Sequence, residues 1–164
     1  MKFDYAIFDL DGTLVDSVED LANAVNYGLQ QMHLPIHPVE KYYHFVGNGV
    51  PKLCQSALPN NATPEQLEQL LTIFNTYYMT HCLECTHPYN GIVDVLKQMQ
   101  CSGIGLAVTS NKTTDFSKKI VTHLFGENLF SQILGGNESR PKKPSPEIIY
   151  EIIKKVVLIL HKWS

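Results

Sequence analysis

Asp9 and Asp11 stand two residues apart, followed at once by Gly12 and Thr13, in the run Phe8-Asp9-Leu10-Asp11-Gly12-Thr13-Leu14-Val15-Asp16-Ser17. Carboxylates are workable nucleophiles and proton carriers. An apolar stretch, Tyr5-Ala6-Ile7-Phe8, leads into them and reads as a short buried strand. Along a continuing strand the period of two aims both acids the same way, and Gly12 lets the chain turn sharply just past them. Two acids therefore converge where a strand ends, which in an open α/β sheet is where ligands bind.

Two further clusters follow the same logic. Ile104-Gly105-Leu106-Ala107-Val108 is a continuous apolar run, as a strand covered on both faces requires, and it ends in Thr109-Ser110-Asn111-Lys112. Phe130 to Leu134 reads as a third strand, closed by Gly135-Gly136, and leads to Ser139-Arg140-Pro141-Lys142-Lys143-Pro144-Ser145-Pro146-Glu147. Ser145 as cap and Pro146 at the first helical position would hold Lys143 at the start of the next helix.

These three clusters closely resemble the first three motifs of the haloacid dehalogenase-like phosphatases, over nearly the whole chain to about residue 155. The resemblance implies Asp9 as nucleophile, forming an aspartyl-phosphate, and Asp11 as general acid and base. Either Thr109 or Ser110 would be the phosphoryl-gripping hydroxyl, with Asn111 helping to hold the oxyanions. Lys143 would neutralise the Asp9 carboxylate and the phosphoryl oxygens, while Lys142 stays solvated. Gly12 and Thr13 join the substrate-binding set. Mg²⁺ is the implied cofactor, with Asp9 and Asp11 as its ligands.

The elements that must position these groups form an α/β three-layer core of this family's type, with a parallel Rossmann-like sheet. Residues 1–15 and 89–164 are its expected extent, with a helical cap inserted over 16–88. Within the cap, Ser17 reads as an N-cap to a helix carrying Val18, Leu21, Ala22, Val25, Leu29 and Met32, ended by Pro35 and Pro38. Pro51 opens a second helix. Thr63-Pro64-Glu65-Gln66 is a capping box for a third, with Leu67, Leu70, Leu71, Phe74, Tyr77 and Tyr78 toward the core. Gly47, Asn48 and Gly49 resemble the cap signature of phosphoglycolate phosphatases, and such a loop offers backbone N–H groups to an anion. After the cap, a helix from Ile92 to about Ser102 packs Val95, Leu96 and Met99, and Gly103 stops it.

Bulk properties narrow the classes. The chain has 164 residues, 44% hydrophobic and 18% charged, with net charge −3. That suits one domain or a small core with an insertion, and no basic run suggests a nucleic-acid partner. No stretch reaches the length of a membrane span, and the N-terminus opens directly on the first strand, so a cytoplasmic location is expected. Cys54, Cys82, Cys85 and Cys101 read as reduced thiols; Cys82-Leu-Glu-Cys85 has the spacing of half a zinc site, without a matching second pair.

One element of the family pattern is missing. Its fourth motif supplies further acids to the Mg²⁺ site from a strand after the last helix. Here Glu147 to Lys155 runs into Val156-Val157-Leu158-Ile159-Leu160, and no acidic residue follows Glu151. The chain therefore reads as C-terminally truncated, with weakened metal affinity and an exposed first strand that invites self-association. The tail from Val156 to Leu160 would either pair with that strand or extend the helix. The implied function is Mg²⁺-dependent hydrolysis of a small phosphate monoester, most like 2-phosphoglycolate. A β-phosphoglucomutase-like or pyrophosphatase activity, or a non-catalytic truncated pseudophosphatase, stands as the alternative.

Overall fold

The computed structural model describes residues 3–137 and 139–162. The chain divides into two compact units, one of residues 1–15 with 88–164 and the other of residues 16–87.

In the first unit a three-stranded parallel sheet is ordered β1 (Tyr5–Phe8), β4 (Gly105–Thr113), β5 (Gln132–Gly136). β1 and β4 run in register, Tyr5 beside Gly105 and Phe8 beside Val108. Side chains alternate across the sheet, so Tyr5, Ile7 and Ala107 share one face. Helix α7 (Glu147–Lys162) covers that face: Ile148, Ile152 and Val156 bury against Ala107 and Leu134, with Tyr5, Ile7 and Ile149 half-buried beside them. Their spacing of four residues is one helix face. The apolar tail after Lys155 therefore continues the helix rather than forming a strand. Helices α5 (Ile92–Cys101) and α6 (Thr114–Phe125) also pack on β4. Among the described residues β1 has a strand on one side only, and all four of its residues are half-buried.

β4 is longer than its apolar run. It continues through Thr109-Ser110-Asn111-Lys112-Thr113, and its pairing with β5 shifts register between Thr109 and Thr113. The reason lies across the ladder. A Cβ on Gly135 would stand 2.3 Å from the Lys112 carbonyl oxygen and from the Thr114 nitrogen, and one on Gly136 would stand 2.8 Å from the Asn111 carbonyl oxygen. The two glycines do not close β5, as the sequence suggests; they are its last residues, and their bareness lets the irregular end of β4 lie against them. Replacing Gly135 with Ala should cost about 1–3 kcal/mol, because the obstacle is backbone that cannot swing aside. A lowered urea midpoint checks this, and an unchanged one contradicts it.

α7 begins at Glu147, one residue later than the Ser145–Pro146 reading, with the Pro146 carbonyl accepting from the Tyr150 N–H. In α5, Leu96 is buried while Val95 lies half-exposed, and Gly103 sits at positive φ with N–H to Gln100 O and Ile104 N–H to Met99 O, a Schellman ending.

The second unit is helical: α1 (Val18–Gln31), α2 (Val39–Tyr42), α3 (Val50–Ala57) and α4 (Pro64–His81). Short strands β2 (Val15–Asp16) and β3 (His87–Pro88) pair where the chain leaves and re-enters the core. The α4 capping box is complete, with Thr63 Oγ1 accepting from Gln66 N and Gln66 Oε1 from Thr63 N. Leu70, Phe74 and Tyr78 form its buried face, whereas Tyr77 stacks between Tyr27 and His81. Two cap readings need correction. Ser17 makes no side-chain cap to α1; Asp16 Oδ1 accepts from the Val18 N–H instead. α1 ends at Gln31, before the prolines, and His33, at φ 56°, completes a Schellman turn with His33 N–H on Gln30 O and Leu34 N–H on Leu29 O. Asp20, buried in the first turn of α1, accepts from Cys85 N, Thr86 N and the Thr86 hydroxyl, so its carboxylate anchors the segment after α4. The four cysteines are free thiols, and burial pushes that of Cys54 up to about 12.

Candidate active site

The loop after β1 is built by its backbone. Leu10 and Leu14 are fully buried and anchor it. The Leu10 carbonyl accepts from Thr13, Leu14 and Val15, and Gly12, at φ 78°, donates its N–H to Val15 O. Only glycine takes that φ without strain. This tight return sets Asp9 directly after the last residue of β1 and leaves its side chain 47% exposed. An exposed carboxylate can be reached by a substrate.

Lys143 comes to Asp9 from a segment 134 residues later in the chain. Its Nζ donates to Asp9 Oδ1 at 2.6 Å and to the Thr109 carbonyl at 3.0 Å. Asp9 Oδ1 also accepts from the Leu10 N–H at 2.8 Å. The backbone of Lys143 is fixed by Asn111: its N–H donates to Asn111 Oδ1 at 2.8 Å, and Asn111 Nδ2 donates to its carbonyl at 3.2 Å. Upstream, Arg140 donates to Gly135 O at 2.6 Å and pairs with Glu151, tying the loop to β5 and α7. Lys155 and Arg140 hold the Glu151 carboxyl below its ordinary range, the hydrogen bond from Lys155 contributing most.

Asp11 has a lysine of its own, which sequence reasoning did not single out. Lys112 Nζ lies 3.2 Å from Asp11 Oδ1, and its side chain is only 3% exposed. The Ser110 hydroxyl accepts from the Lys112 N–H, and Ser117 Oγ donates to its carbonyl. A lysine is almost never this buried unless paired. The two residues are far apart in the chain; they meet because Phe8 pairs with Val108, which sets the loop after β1 beside the part of β4 that continues past that pair. Removing one partner of a buried pair strands the other charge, so Lys112→Met should cost on the order of 3 kcal/mol. Denaturant unfolding checks this, with the Lys112→Met/Asp11→Asn double variant expected to recover much of the loss. A cost below about 0.5 kcal/mol, the scale of a surface substitution, would contradict it.

Thr109 and Ser110 are both buried at the end of β4. Thr109 presents its carbonyl to Lys143 and Ser110 its hydroxyl to Lys112. Gly47, Asn48 and Gly49 belong to the other unit, where Gly47 and Gly49 have φ of 120° and 82° and Gly49 precedes α3. Among the described residues no group of three or more His, Cys, Asp and Glu converges as a metal site. Asp9 offers a half-exposed carboxylate and Asp11 a backbone carbonyl, and a carboxylate completed by carbonyl, substrate phosphate and water is a set that Mg²⁺ uses. The donors present therefore fit that ion.

The chain belongs to the haloacid dehalogenase-like hydrolase family, whose model matches residues 6–162. Among its relatives, the phosphoglycolate phosphatase of Colwellia psychrerythraea is 34% identical over 160 residues, covering 93% of this chain and 70% of the relative. That of Pseudomonas savastanoi pv. phaseolicola is 38% identical over 154 residues, covering 90% and 56%. A predicted phosphoglycolate phosphatase from Haemophilus somnus superposes with a TM-score of 0.87 at 30% identity, covering 94% of this chain and 72% of that one.

Proposed function

We propose that this chain hydrolyses a small phosphate monoester, with 2-phosphoglycolate as the leading substrate, through an aspartyl-phosphate on Asp9. The contact between Lys143 Nζ and Asp9 Oδ1 at the end of a parallel strand carries the reading, in a chain whose relatives are phosphoglycolate phosphatases. Lys143 and the Leu10 N–H occupy Oδ1, so Oδ2 of Asp9 is the attacking atom.

In the first step Oδ2 of Asp9 bonds to phosphorus. The bond from phosphorus to the ester oxygen breaks, its electron pair leaving on that oxygen, which takes a proton from Asp11. In the second, a water gives a proton to Asp11 and attacks phosphorus, and the Asp9–phosphorus bond breaks to return the carboxylate. Lys112 holds Oδ1 of Asp11, so Oδ2 carries the proton in both steps. Ser110 serves as the phosphoryl hydroxyl: having accepted a bond from Lys112 N–H, it keeps its own proton to donate. Lys143 meets the growing phosphoryl charge. Mg²⁺, held by the Asp9 carboxylate and the Asp11 backbone carbonyl, would when bound offset the phosphate charge that otherwise repels the Asp9 carboxylate. Within the second unit, the backbone N–H groups of Gly47, Asn48 and Gly49 form a loop of the kind that binds anions.

Rapid acid quench during turnover, followed by mass analysis of the Asp9 peptide, tests the reading. A phosphoryl adduct on Asp9, lost in Asp9→Asn and diminished in Ser110→Ala, is expected. Turnover without any adduct under fast quench, or an adduct on another residue, would sink it.

A further inference from the structure

We propose that Asn111 is a positioning residue for Lys143 rather than a substrate contact. The family resemblance suggests that its amide meets substrate oxyanions, yet both ends of that amide are engaged by one residue's backbone. Lys143 N–H donates to Oδ1 at 2.8 Å, and Nδ2 donates to the Lys143 carbonyl at 3.2 Å. An amide side chain that accepts from an N–H and donates to the C=O of the same residue imitates a strand neighbour. It fixes that residue in both position and direction. Here it does so for a loop residue that lies in no helix or strand.

The neighbouring geometry explains why such a fixture is needed. Lysine has a long flexible stem, and a point charge at its end carries no orientation of its own. The ammonium reaches Asp9 because two residues at the end of β4 act together: Asn111 holds the backbone and the Thr109 carbonyl receives the Nζ. Asn111 can do this because the end of β4 departs from regular pairing, and that departure exists because Gly135 and Gly136 leave room for it. The bareness of β5 thus determines where the Lys143 charge stands.

The proposal deepens the phosphatase reading, and its kinetic arm rests on that reading; a second arm does not. Asn111→Ala should lower kcat by about 10²-fold, the scale of a misplacement near 1 Å, with KM changed less than threefold. Asn111→Asp, which keeps the acceptor for the Lys143 N–H and loses the donor, should fall between. A substrate contact predicts the opposite split, with KM raised and kcat kept. Placing Asn111→Ala in a Lys143→Met background should add little further loss, whereas a merely structural role would stay additive.

The second arm uses NMR of the side-chain ε-methylene groups in lysine-labelled protein, with the Lys143 signal assigned by its disappearance in Lys143→Arg. Wild type should show Lys143 shifted and broadened relative to the solvated lysines. Asn111→Ala should move it to their position while Lys112 keeps its own. A Lys143 signal unchanged in folded Asn111→Ala and Asn111→Asp overturns the proposal, whatever the activity. Absence of turnover in wild type fails the phosphatase reading alone, and the NMR result then decides this one.

Discussion

Asp9→Asn should abolish turnover while leaving the protein folded, a loss of at least about 10⁴-fold, as expected when the nucleophile of a cooperating set is removed. The amide is nearly isosteric, so it can keep the hydrogen bonds that Asp9 Oδ1 accepts from Leu10 N–H and Lys143 Nζ. It is a far weaker nucleophile because it carries no charge. The stability cost should be small. Asp9 is 47% exposed, and ion pairs in that setting contribute little after solvent screening. Circular dichroism and a melting curve beside the rate measurement separate the two effects. Retained turnover in a folded Asp9→Asn would place the chemistry elsewhere.

The second large effect falls on Lys143. Lys143→Met should reduce kcat by about 10²–10³-fold, as removing one well-placed donor to developing charge does elsewhere. Methionine keeps much of the stem volume and loses the ammonium that joins Asp9 to the Thr109 carbonyl. Lys143→Arg should recover only part of the loss, since a planar fork does not replace a compact charge with a different reach. Steady-state rates for both variants check this. Equal kcat for wild type and Lys143→Met would contradict the role assigned to the contact with Asp9.

Much of the core was legible because its signals are local. The apolar run from Tyr5 to Phe8 is β1 to the residue, and the capping box at Thr63 forms both of its bonds. α7 was legible in its first half only. Its second half gave an ambiguous apolar run, resolved as helix because Ile152 and Val156 continue the face begun by Ile148. What escaped depends on partners distant in sequence. Polar Thr109 to Thr113 reads as loop, and only the bare backbone of Gly135 and Gly136 across the ladder lets it persist as strand. His33 does at the end of α1 what a glycine would announce, and proline spacing placed that end too late.

The candidate site divides in the same way. Asp9, Asp11 and Lys143 could be named because each sits in a compact motif of unusual composition. Lys112 could not: nothing beside it in sequence shows that its ammonium is buried against Asp11. Asn111 was named for its polar amide, while its bonds to the Lys143 backbone required the fold. Asp20 is a first-turn acid by its place in the chain, and the three donors from Cys85 and Thr86 that bond it come from a segment that only the folded unit brings back.

The most direct test is phosphate release from 2-phosphoglycolate by this 164-residue chain, with Mg²⁺ and with EDTA, beside Asp9→Asn as the blank. Release that requires both Mg²⁺ and Asp9 is the predicted result. A folded chain that releases no phosphate, or that releases it equally after Asp9→Asn, would contradict the account and favour a non-catalytic phosphate-binding role.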